Sequence, residues 1–373
     1  MEIVFVSNYY NHHQAALAEC FDIQSGHHFV FIETAPISVE RKNMGWSNAD
    51  APNYVRKAYE SDQSRAECQE LINRADVVIW GSCPFSMIRP RLKAKKLTFC
   101  YSERLFKKGF GPIAFGGRAI KHWLRHWRYQ KNHYLLCASA YAADDYAKIG
   151  LFRNRAYKWG YFPEFEEMKN PNGVLAEKEA ASLLWAGRMI DWKHPDAAVR
   201  LAKRLKDTGA KFRLDMIGSG EKKPLIEALI DQYELNDCVV LHDSMSPKAV
   251  REKMKKAEIY LFTSDHNEGW GAVLNESMNS ACAVIANKEI GSASFLIQQG
   301  VNGLMYADED ELFEMVKEIL VNHEKRKAYG VCAYKEIEYQ WCAERAAERL
   351  LQLIELIQRN GESTWKTGPC SRA

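Results

Sequence analysis

Short apolar runs typical of buried strands alternate with helical patterns along most of this 373-residue chain. Helical patterns such as Gln14–Phe21 and Ser64–Arg74 lie between several of the runs in the first part. That alternation predicts a doubly wound α/β domain, a parallel sheet with helices on both faces. The strands predicted in this part are Ile3–Val6, Phe29–Ile32, Val77–Trp80, Leu97–Tyr101 and Tyr134–Ala138.

A second alternating series begins near residue 180. Because 373 residues exceed what one hydrophobic core usually supports, we expect two domains, residues 1–165 and 175–340. Pro163–Gly173 is rich in proline, glycine and charge, which predicts a linker. The tail after Asn360 is short and polar, and we expect it to fray. The strands and helices predicted in the second series are Ser182–Ala186, Arg213–Ile217, Val239–Leu241, Ile259–Phe262, Ala283–Ala286, Glu311–Asn322 and Ala343–Gln358.

Composition narrows the functional classes. With 47% hydrophobic and 27% charged residues the chain is typical of a globular protein, and a net charge of +3 gives no indication of nucleic-acid binding. None of the ten cysteines forms a C-x-x-C pair, so neither a zinc site nor a redox motif is predicted. No run reaches the roughly 18 apolar residues of a membrane span, and no signal-peptide pattern precedes the first strand. We therefore expect a cytoplasmic protein.

Two carboxylates eight residues apart, Glu268 and Glu276, flank the turn Gly269–Trp270–Gly271 and a helix-compatible stretch. The predicted strand Ile259–Phe262 precedes them, so the order is strand, glycine loop, helix. In that order the loop amides and the helix N-terminus face an incoming anion, and Glu276, about two turns in, shares a face with the helix start. One carboxylate can bind sugar hydroxyls and the other a ribose. By itself, however, the spacing is also typical of two solvated surface glutamates.

A basic pair, Arg188 and Lys193, follows another predicted strand and Gly187. Parallel α/β sheets bind ligands at the carboxyl ends of their strands. Arginine offers a forked donor to phosphate oxygens, and lysine offers a point charge. Either cation alone is typical of a solvated surface, but together with the downstream glutamates they favour a diphosphate site.

In this order the motifs resemble the retaining glycosyltransferases of family 4, which have the GT-B fold and use nucleotide-sugar donors. The resemblance covers most of residues 180–357 and rests on Gly187–Arg188 with Lys193, Ile217–Gly220, Glu268 to Glu276, and Gly300–Leu304. It implies two Rossmann-like domains facing a central cleft, the first binding the acceptor and the second the donor. It also implies that residues 341–358 form a helix packing back on the first domain.

The resemblance implies a role for each donor-side residue. Arg188 and Lys193 would neutralise the diphosphate, and Glu268 would hold the transferred sugar. These three are the predicted catalytic residues. Glu276 would bind the ribose. The remaining predicted donor contacts come from Gly187, Gly218, His242, Met245, Gly269, Trp270 and Gly271.

The implied activity is that of a retaining, metal-independent transferase of the hexosyltransferase type, with a UDP- or GDP-linked sugar as co-substrate and no bound cofactor. We identify no Asp-x-Asp pattern of the kind that presents a divalent ion in other transferases, and its role would fall to Arg188, Lys193 and the helix N-terminus. Retention in the family is ascribed to same-face attack, the leaving diphosphate accepting the acceptor's proton. The alternatives are a sugar-nucleotide epimerase, phosphorylase or hydrolase on the same fold, and a non-catalytic nucleotide-sugar-binding protein.

The first domain departs from the family, because the loop Ser7–Gln14 after its first strand contains no glycine. His12 or His13 would contact the acceptor or the phosphate there. The alternative is that Asn11 caps the following helix and the histidines are merely exposed. Glu103, at another strand end, would hydrogen-bond the acceptor, or else form a surface pair with the next residue, Arg104.

Residues 89–134 carry thirteen Lys or Arg against one acid, Glu103. Within residues 116–130, four apolar residues follow helical spacing beside basic ones: Ile120, Trp123, Leu124 and Trp127. This pattern favours an interfacial helix on an anionic membrane, and the alternative is a helix packed on its own domain. On the first interpretation the protein lies on the inner face of the cell membrane. It would then act on a glycan or lipid-linked acceptor in cell-surface polysaccharide or glycolipid synthesis.

Overall fold

The structure is a computed structural model that describes residues 1–23, 26–38, 51–107, 112–168, 175 and 177–373. The chain divides into two compact units, the first comprising Met1–Glu164 with Cys342–Ala373 and the second Phe165–Trp341. Residues 169–173 of the predicted linker lie outside the described residues. Each unit contains its own parallel sheet.

The described residues of the first unit form a sheet of seven parallel strands in the order β3-β2-β1-β4-β5-β6-β7. The five predicted strands are confirmed to within one residue at each end. Strands β3 and β7 are three residues each, too short for an alternating pattern to reveal them. The strands are β1 (Glu2–Ser7), β2 (His28–Glu33), β3 (Val55–Lys57), β4 (Val77–Trp80), β5 (Thr98–Ser102), β6 (His133–Cys137) and β7 (Ala156–Lys158).

The helices of the first unit begin and end where local hydrogen bonding favours it. Ser61, for example, caps α2, since its hydroxyl accepts from the Ser64 amide at 3.0 Å. A 3₁₀ turn, Trp127–Tyr129, extends α4. The helices are α1 (His12–Ile23), α2 (Asp62–Arg74), α3 (Phe85–Lys93), α4 (Pro112–His126) and α5 (Ala142–Lys148).

The described residues of the second unit form a sheet of six parallel strands in the order β10-β9-β8-β11-β12-β13. All six residues of β11 are buried, as expected for a central strand covered on both faces. The chain order reverses between β8 and β11, which makes this the topological switch point. The strands are β8 (Glu179–Ala186), β9 (Arg213–Ile217), β10 (Val239–His242), β11 (Ala257–Phe262), β12 (Ala283–Asn287) and β13 (Gly303–Tyr306).

Seven helices of the described residues flank the second sheet. Helix α6 begins with Pro195 in its first turn, where proline is pre-organised, and packs Ala198, Leu201 and Leu205 into the core. A 3₁₀ turn, Asp191–Lys193, precedes it. The helices are α6 (Pro195–Asp207), α7 (Lys223–Gln232), α8 (Pro247–Lys256), α9 (Val273–Asn279), α10 (Ala293–Leu296), α11 (Glu309–Val321) and α12 (His323–Tyr339).

The C-terminal segment returns to the first unit. Helix α13 (Ala343–Gln358) packs against α1. The expectation of a frayed tail was wrong, because Cys370 and Ser371 are fully buried. The Cys370 amide donates to the Lys158 carbonyl at 2.8 Å, and the Lys158 amide donates to the Ser371 carbonyl at 2.8 Å. The tail thus satisfies backbone groups of β7, the edge strand of its sheet.

Candidate functional site

Ligands of open α/β sheets bind beyond the carboxyl ends of the strands, at the switch point. In the second unit that point lies between β8 and β11. Gly187 and Arg188 follow β8 directly, and Lys193 ends the 3₁₀ turn in the same connection. Glu268 lies in the loop after β11, and Glu276 lies in α9. The fold therefore places all five predicted residues in the two connections that flank the switch point.

Lys193 and Glu268 are in direct contact. The Lys193 ammonium donates to Oε2 of Glu268 in an ion pair, and the two side chains are only 13% and 10% exposed. The Ser264 hydroxyl donates to the same carboxylate oxygen at 3.0 Å. Opposite charges attract more strongly at such partly dehydrated positions than in bulk water. Lys193, predicted to bind the diphosphate, and Glu268, predicted to bind the sugar, thus form one ion pair.

Arg188 belongs to the same group of residues. Its guanidinium carbon lies 5.7 Å from the centroid of the Trp192 ring, and the Lys193 ammonium lies 4.8 Å from that centroid. A tryptophan ring attracts cations within about 6 Å of its centre. Trp192, which the sequence interpretation did not single out, therefore holds both cations around one ring.

The loops after β8 and β9 approach each other backbone to backbone. The Gly187 amide donates to the Ile217 carbonyl at 3.0 Å, and the Met189 amide donates to the Ser219 carbonyl at 2.8 Å. A Cβ at Gly218, whose φ is 150°, would lie 1.9 Å from the Gly187 carbonyl oxygen. Only glycine fits at this position. The predicted motif Ile217–Gly220 therefore contacts the loop after β8 through main-chain atoms.

The turn after Glu268 combines close packing with a buried anchor. A Cβ at Gly271, whose φ is 85°, would lie 2.5 Å from the Phe262 ring. The Trp270 indole is fully buried and donates to the Asn275 side-chain oxygen at 2.8 Å. The Trp270 side chain therefore serves the core, and any ligand contact at residues 269–271 would come from the backbone.

Glu276 lies in the first turn of α9 rather than about two turns in, because the helix begins only at Val273. Its carboxylate accepts no hydrogen bond from the described part of the chain. Burial raises the pKa of Glu276 to about 7, although the nearby charge of Arg251 opposes the shift. A half-buried carboxylate with a raised pKa is a candidate for receiving donors from a ligand.

Two of the predicted donor contacts, His242 and Met245, lie further along the same edge of the sheet. His242 ends β10, and its ring is hydrogen-bonded to the Asp215 carboxylate of β9. Arg213 donates to both oxygens of that carboxylate, at 2.9 and 3.1 Å. Burial alone would raise the pKa of Asp215, but the hydrogen bonds from Arg213 and His242 hold it below its usual range. The His242 ring is thus engaged within the sheet, and Met245 follows in the loop after β10.

An Asp-x-Asp pattern does occur in the chain, at Asp308–Glu309–Asp310, and the sequence interpretation overlooked it. Asp308 caps α11 by accepting from the Asp310 and Glu311 amides at 3.0 and 2.9 Å. Glu309 pairs with Arg200 at 2.6 Å and Asp310 with Arg204 at 2.8 Å, so these carboxylates join α11 to α6. Across the described residues, no group of three or more His, Cys, Asp or Glu side chains could hold a metal ion.

In the first unit, two of the three predicted acceptor-side residues meet at one aromatic ring. The His13 ring stacks on Tyr161, with ring centroids 5.9 Å apart and planes 11° apart. The Tyr161 hydroxyl donates to Glu103 at 2.8 Å. The His12 ring lies beside that of His13, with ring centroids 3.9 Å apart. The sequence interpretation missed Tyr161, because it lies 58 residues further along the chain than Glu103.

The local alternatives for these residues are decided separately. Asn11 does cap α1, since its side-chain oxygen accepts from the His13 amide at 3.0 Å. The suggested surface pair of Glu103 with Arg104 is wrong. Glu103 pairs with Lys107, and Arg104 lies 3.9 Å from Asp145. Each charge has found a partner set by the fold rather than by its neighbour in sequence.

A buried carboxylate holds the glycine-free loop. Glu33, at the end of β2, is fully buried, and it accepts from the Tyr10 amide at 2.7 Å and from the Tyr59 hydroxyl at 3.3 Å. The Thr34 and Ala35 amides also donate to the Asn8 carbonyl, at 3.0 and 2.8 Å. The sequence interpretation missed Glu33, although an acid at the end of an apolar strand was a visible signal.

The basic helix α4 presents its apolar residues outward. The four apolar residues predicted for this face are 38% to 61% exposed, and the rings of Trp123 and Trp127 stack with centroids 4.7 Å apart. The inward side carries His122 and His126 instead, next to His133 of β6. The helix thus packs on its own domain through His126, and its four apolar residues stay partly exposed. Of the thirteen basic residues of this region, Lys108 lies outside the described residues.

Comparison with known sequences finds a family match over most of the second unit. Residues 166–336 match the family described as "Glycosyl transferases group 1". A Campylobacter jejuni relative, an N-acetylgalactosaminyltransferase that acts on a diphospho-undecaprenol, is 30% identical over 151 residues, 39% of either chain. The gpi3 subunit of the Schizosaccharomyces pombe phosphatidylinositol N-acetylglucosaminyltransferase is 23% identical over 187 residues, 50% of this chain and 41% of that one. The match therefore spans about two fifths of either relative.

Comparison with solved structures covers nearly the whole chain. HepE of Anabaena, solved in complex with UDP and glucose, superimposes with a TM-score of 0.68 at 12% identity, over 95% of this chain and 99% of that one. No helix among the described residues is long and apolar enough to cross a membrane. The chain thus has the GT-B fold, and its residues 166–336, most of the second unit, match the glycosyl transferases of group 1.

Proposed function

We propose that the protein is a glycosyltransferase that moves a sugar from a UDP- or GDP-linked donor to a glycan or lipid-linked acceptor. The observation that carries the proposal is the contact between Lys193 and Glu268, with Arg188 beside it, at the switch point of a domain that matches the glycosyl transferases of group 1. A diphosphate needs cations, and a sugar needs a carboxylate that accepts from its hydroxyls. The site offers both within one hydrogen-bonded group.

Each donor-side residue has a definite part in this proposal. Arg188 and Lys193 bind the diphosphate. When the donor binds, the Lys193 ammonium shares its N–H donors between Glu268 and the phosphate oxygens. Glu268 holds the transferred sugar, and Glu276, at the start of α9, accepts from the ribose hydroxyls. The amides of residues 269–271 and the helix N-terminus behind them add donors for sugar and phosphate oxygens.

The proposed chemistry is electrostatic. As the bond between sugar and diphosphate breaks, negative charge grows on the leaving diphosphate, and the fixed cations Arg188 and Lys193 stabilise it. Retention of configuration follows if the acceptor attacks from the face that the diphosphate leaves, with the departing oxygen taking the acceptor's proton. This family-4 mechanism requires no metal ion, so a chelator should leave activity unchanged.

The acceptor side is proposed to include His13, Tyr161 and Glu103 of the first unit. An imidazole, a phenol and a carboxylate give donors, acceptors and a flat apolar surface, which together suit a sugar. The names of the two relatives support a lipid-linked acceptor. One is an N-acetylgalactosaminyltransferase named for a diphospho-undecaprenol, and the other is a subunit of a phosphatidylinositol N-acetylglucosaminyltransferase. A place in cell-surface polysaccharide or glycolipid synthesis follows.

We further propose that helix α4 rests on an anionic membrane surface. Its outward face combines the stacked rings of Trp123 and Trp127 with the exposed cations of Lys121 and Arg128. Aromatic rings favour the headgroup region, and each basic residue near an anionic surface adds about 1 kcal/mol. Such a surface would bring a lipid-linked acceptor to the enzyme without a spanning helix.

Liposome sedimentation tests the membrane contact. The protein should sediment with anionic vesicles at low salt, less so at high salt, and little with neutral vesicles. Trp123→Ala combined with Trp127→Ala should release it while leaving donor binding unchanged, because the donor residues belong to the other unit. Equal recovery of the unmutated protein in the supernatant with and without anionic lipid would refute the contact.

A panel of UDP- and GDP-sugars tests the activity. Release of nucleoside diphosphate that increases with a glycan or undecaprenyl-linked acceptor, with a new glycosidic product, would support a transferase. Release of nucleoside diphosphate at the same rate with and without acceptor would favour a hydrolase. Conversion of the sugar without release of nucleoside diphosphate would favour an epimerase. Tight binding with neither outcome would favour a non-catalytic binding protein.

A further inference from the structure

Two consecutive hydroxyl residues, Thr263 and Ser264, follow β11 directly and are 2% and 0% exposed. Polar groups buried to this degree need hydrogen-bond partners, and these two find theirs around the donor site. Thr263 is bonded to the backbone of Lys193, and Ser264 is bonded to the carboxylate of Glu268. Since neither has surface to offer a ligand, any effect they have on it must pass through that ion pair.

Thr263 joins two strands to the loop that carries Lys193. The Trp185 indole of β8 donates to the Thr263 hydroxyl at 2.8 Å, and that hydroxyl donates to the Lys193 carbonyl at 2.7 Å. A hydroxyl has one proton to give, so the two bonds complement each other and define its orientation. Lys193 is therefore fixed to the end of β11 through one buried oxygen.

Two further contacts hold the same segments side by side. The Asp265 amide donates to the Trp192 carbonyl at 3.0 Å, and the His194 ring is hydrogen-bonded to the Asp265 carboxylate at 3.0 Å. His194 has φ of 46°, a left-handed conformation that a non-glycine residue holds only when its surroundings enforce it. The position of Lys193 is thus imposed by the neighbouring segment rather than by its own turn.

Ser264 acts on the other member of the pair. Its hydroxyl and the Lys193 ammonium both donate to Oε2 of Glu268. Within the described part of the chain, no donor binds the second oxygen of that carboxylate. One oxygen is therefore fixed by the protein, and the other keeps its capacity to accept from a sugar hydroxyl.

We propose that Thr263 and Ser264 are positioning residues, Thr263 for Lys193 and Ser264 for Glu268. The inference rests on the proposed function of this site. Because Lys193 serves the diphosphate, loss of the Thr263 hydroxyl should weaken nucleotide binding and turnover together. Because Glu268 serves the sugar, loss of the Ser264 hydroxyl should lower turnover and leave the affinity for free nucleoside diphosphate unchanged.

The test compares Thr263→Val, which keeps the shape and removes the hydroxyl, with Thr263→Ser, which keeps the hydroxyl. Calorimetry gives the Kd for UDP and for GDP, and diphosphate release gives kcat. Thr263→Val should raise the Kd and lower kcat by roughly tenfold each, the typical value of one hydrogen bond, and Thr263→Ser should remain near wild type. Ser264→Ala should lower kcat by roughly tenfold at unchanged Kd.

Ser182→Ala is the matched control, because Ser182 is another buried hydroxyl of this sheet, near the amino end of β8, and accepts from the Glu258 amide at 3.0 Å. It should lower the Tm about as much as Thr263→Val without changing the Kd. Equal losses in Thr263→Val and Thr263→Ser, or a Thr263→Val enzyme like wild type, would overturn the inference alone. A wild-type protein that binds neither UDP nor GDP and releases neither from a sugar donor would overturn the proposed function, and the inference with it.

Discussion

The two units differ in how they hold the loops at the carboxyl ends of their strands. In the second unit the loops after β8 and β9 meet as bare backbone, and Gly218 leaves no space for a side chain. In the first unit the loop after β1 has no glycine, and the buried carboxylate of Glu33 holds it through the Tyr10 amide. The loop of the second unit is thus held by peptide groups, and the loop of the first unit is held by a side chain.

The difference has a functional consequence. Peptide groups are the same in every sequence, so on the proposed function a backbone-built loop suits the parts that UDP- and GDP-sugars share, the diphosphate and the ribose. Side chains such as that of His13 differ between sequences in charge, size and hydrogen bonding, so on the proposed function a loop that presents them suits selection among acceptors. We therefore expect substitutions in the second unit to lower turnover with every acceptor, and substitutions in the first unit to change the choice of acceptor.

The largest expected effect lies in the second unit. Arg188→Ala and Lys193→Ala should each lower turnover by a factor on the order of 10² or more, because both cations meet charge that grows in the transition state. Steady-state kinetics measures the loss, with circular dichroism showing that the fold is kept. Near wild-type turnover in both variants would show that these cations do not bind the diphosphate. Loss of all activity in the presence of a chelator would show that the reaction needs a metal ion.

A pair of glycine variants tests whether close backbone approach is required. Gly218→Ala should lower the free energy of unfolding by about 3 kcal/mol, since overpacking adds to left-handed strain. Gly209→Ala is the control, because Gly209 has φ of 76° but nothing within 4 Å of an added Cβ, so strain alone should cost about 1 kcal/mol. Urea unfolding measures both. Equal losses would mean that conformation, not the contact with Gly187, explains the glycine.

The two glutamates should separate binding from turnover. Glu276→Ala should weaken binding of free UDP or GDP by more than roughly tenfold, since a charge-assisted bond to a ribose hydroxyl contributes about 1.5–3 kcal/mol. Glu268→Gln should mainly lower turnover and change the choice of sugar. Calorimetry and donor competition distinguish them, and unchanged nucleotide affinity in Glu276→Ala would exclude the ribose role.

Acid should affect the two units in opposite directions. Burial lowers the pKa of His122 to about 4 and that of His133 to about 3. Unfolded histidines have a pKa near 6.5, so between about pH 6.5 and 4 the unfolded first unit binds more protons and its stability falls as the pH falls. The slope is at most about 1.4 kcal/mol per pH unit for each histidine. Glu276, with its pKa raised to about 7, does the reverse in the second unit.

Hydrogen exchange read by mass spectrometry at pH 7.5 and pH 5 assigns these changes to each unit, after correction for the intrinsic exchange rates. The sheet of the first unit should lose protection at pH 5, and the second should keep or gain it. His126→Asn should reduce the loss in the first unit, because burial and the neighbouring His133 hold the pKa of His126 well below its usual value. Glu276→Gln should abolish the gain in the second unit. Parallel loss in both units would refute this account.

Much of the fold was predictable because its signals are local. The buried strand Val77–Trp80 is a continuous apolar run, and Arg213–Ile217 combines three apolar residues with two charged ones. The structure has both strands at the predicted ends. Three-residue strands such as β3 and β7 carry too little pattern to be recognised. The buried tail near Cys370 was missed for a related reason, since its partner is an edge strand about two hundred residues earlier in the chain.

The sequence by itself determined the alternating α/β architecture and the order of the donor motifs, because strand periodicity, turn glycines and charge spacing are properties of neighbouring residues. Only the tertiary structure decided the partners: Lys193 with Glu268, Glu103 with Tyr161, and the outward apolar face of α4. Those pairings depend on which strand ends adjoin and which helix face turns inward. A contact between residues tens of positions apart has no local signature, and its energy exists only once the sheet has brought the two side chains together.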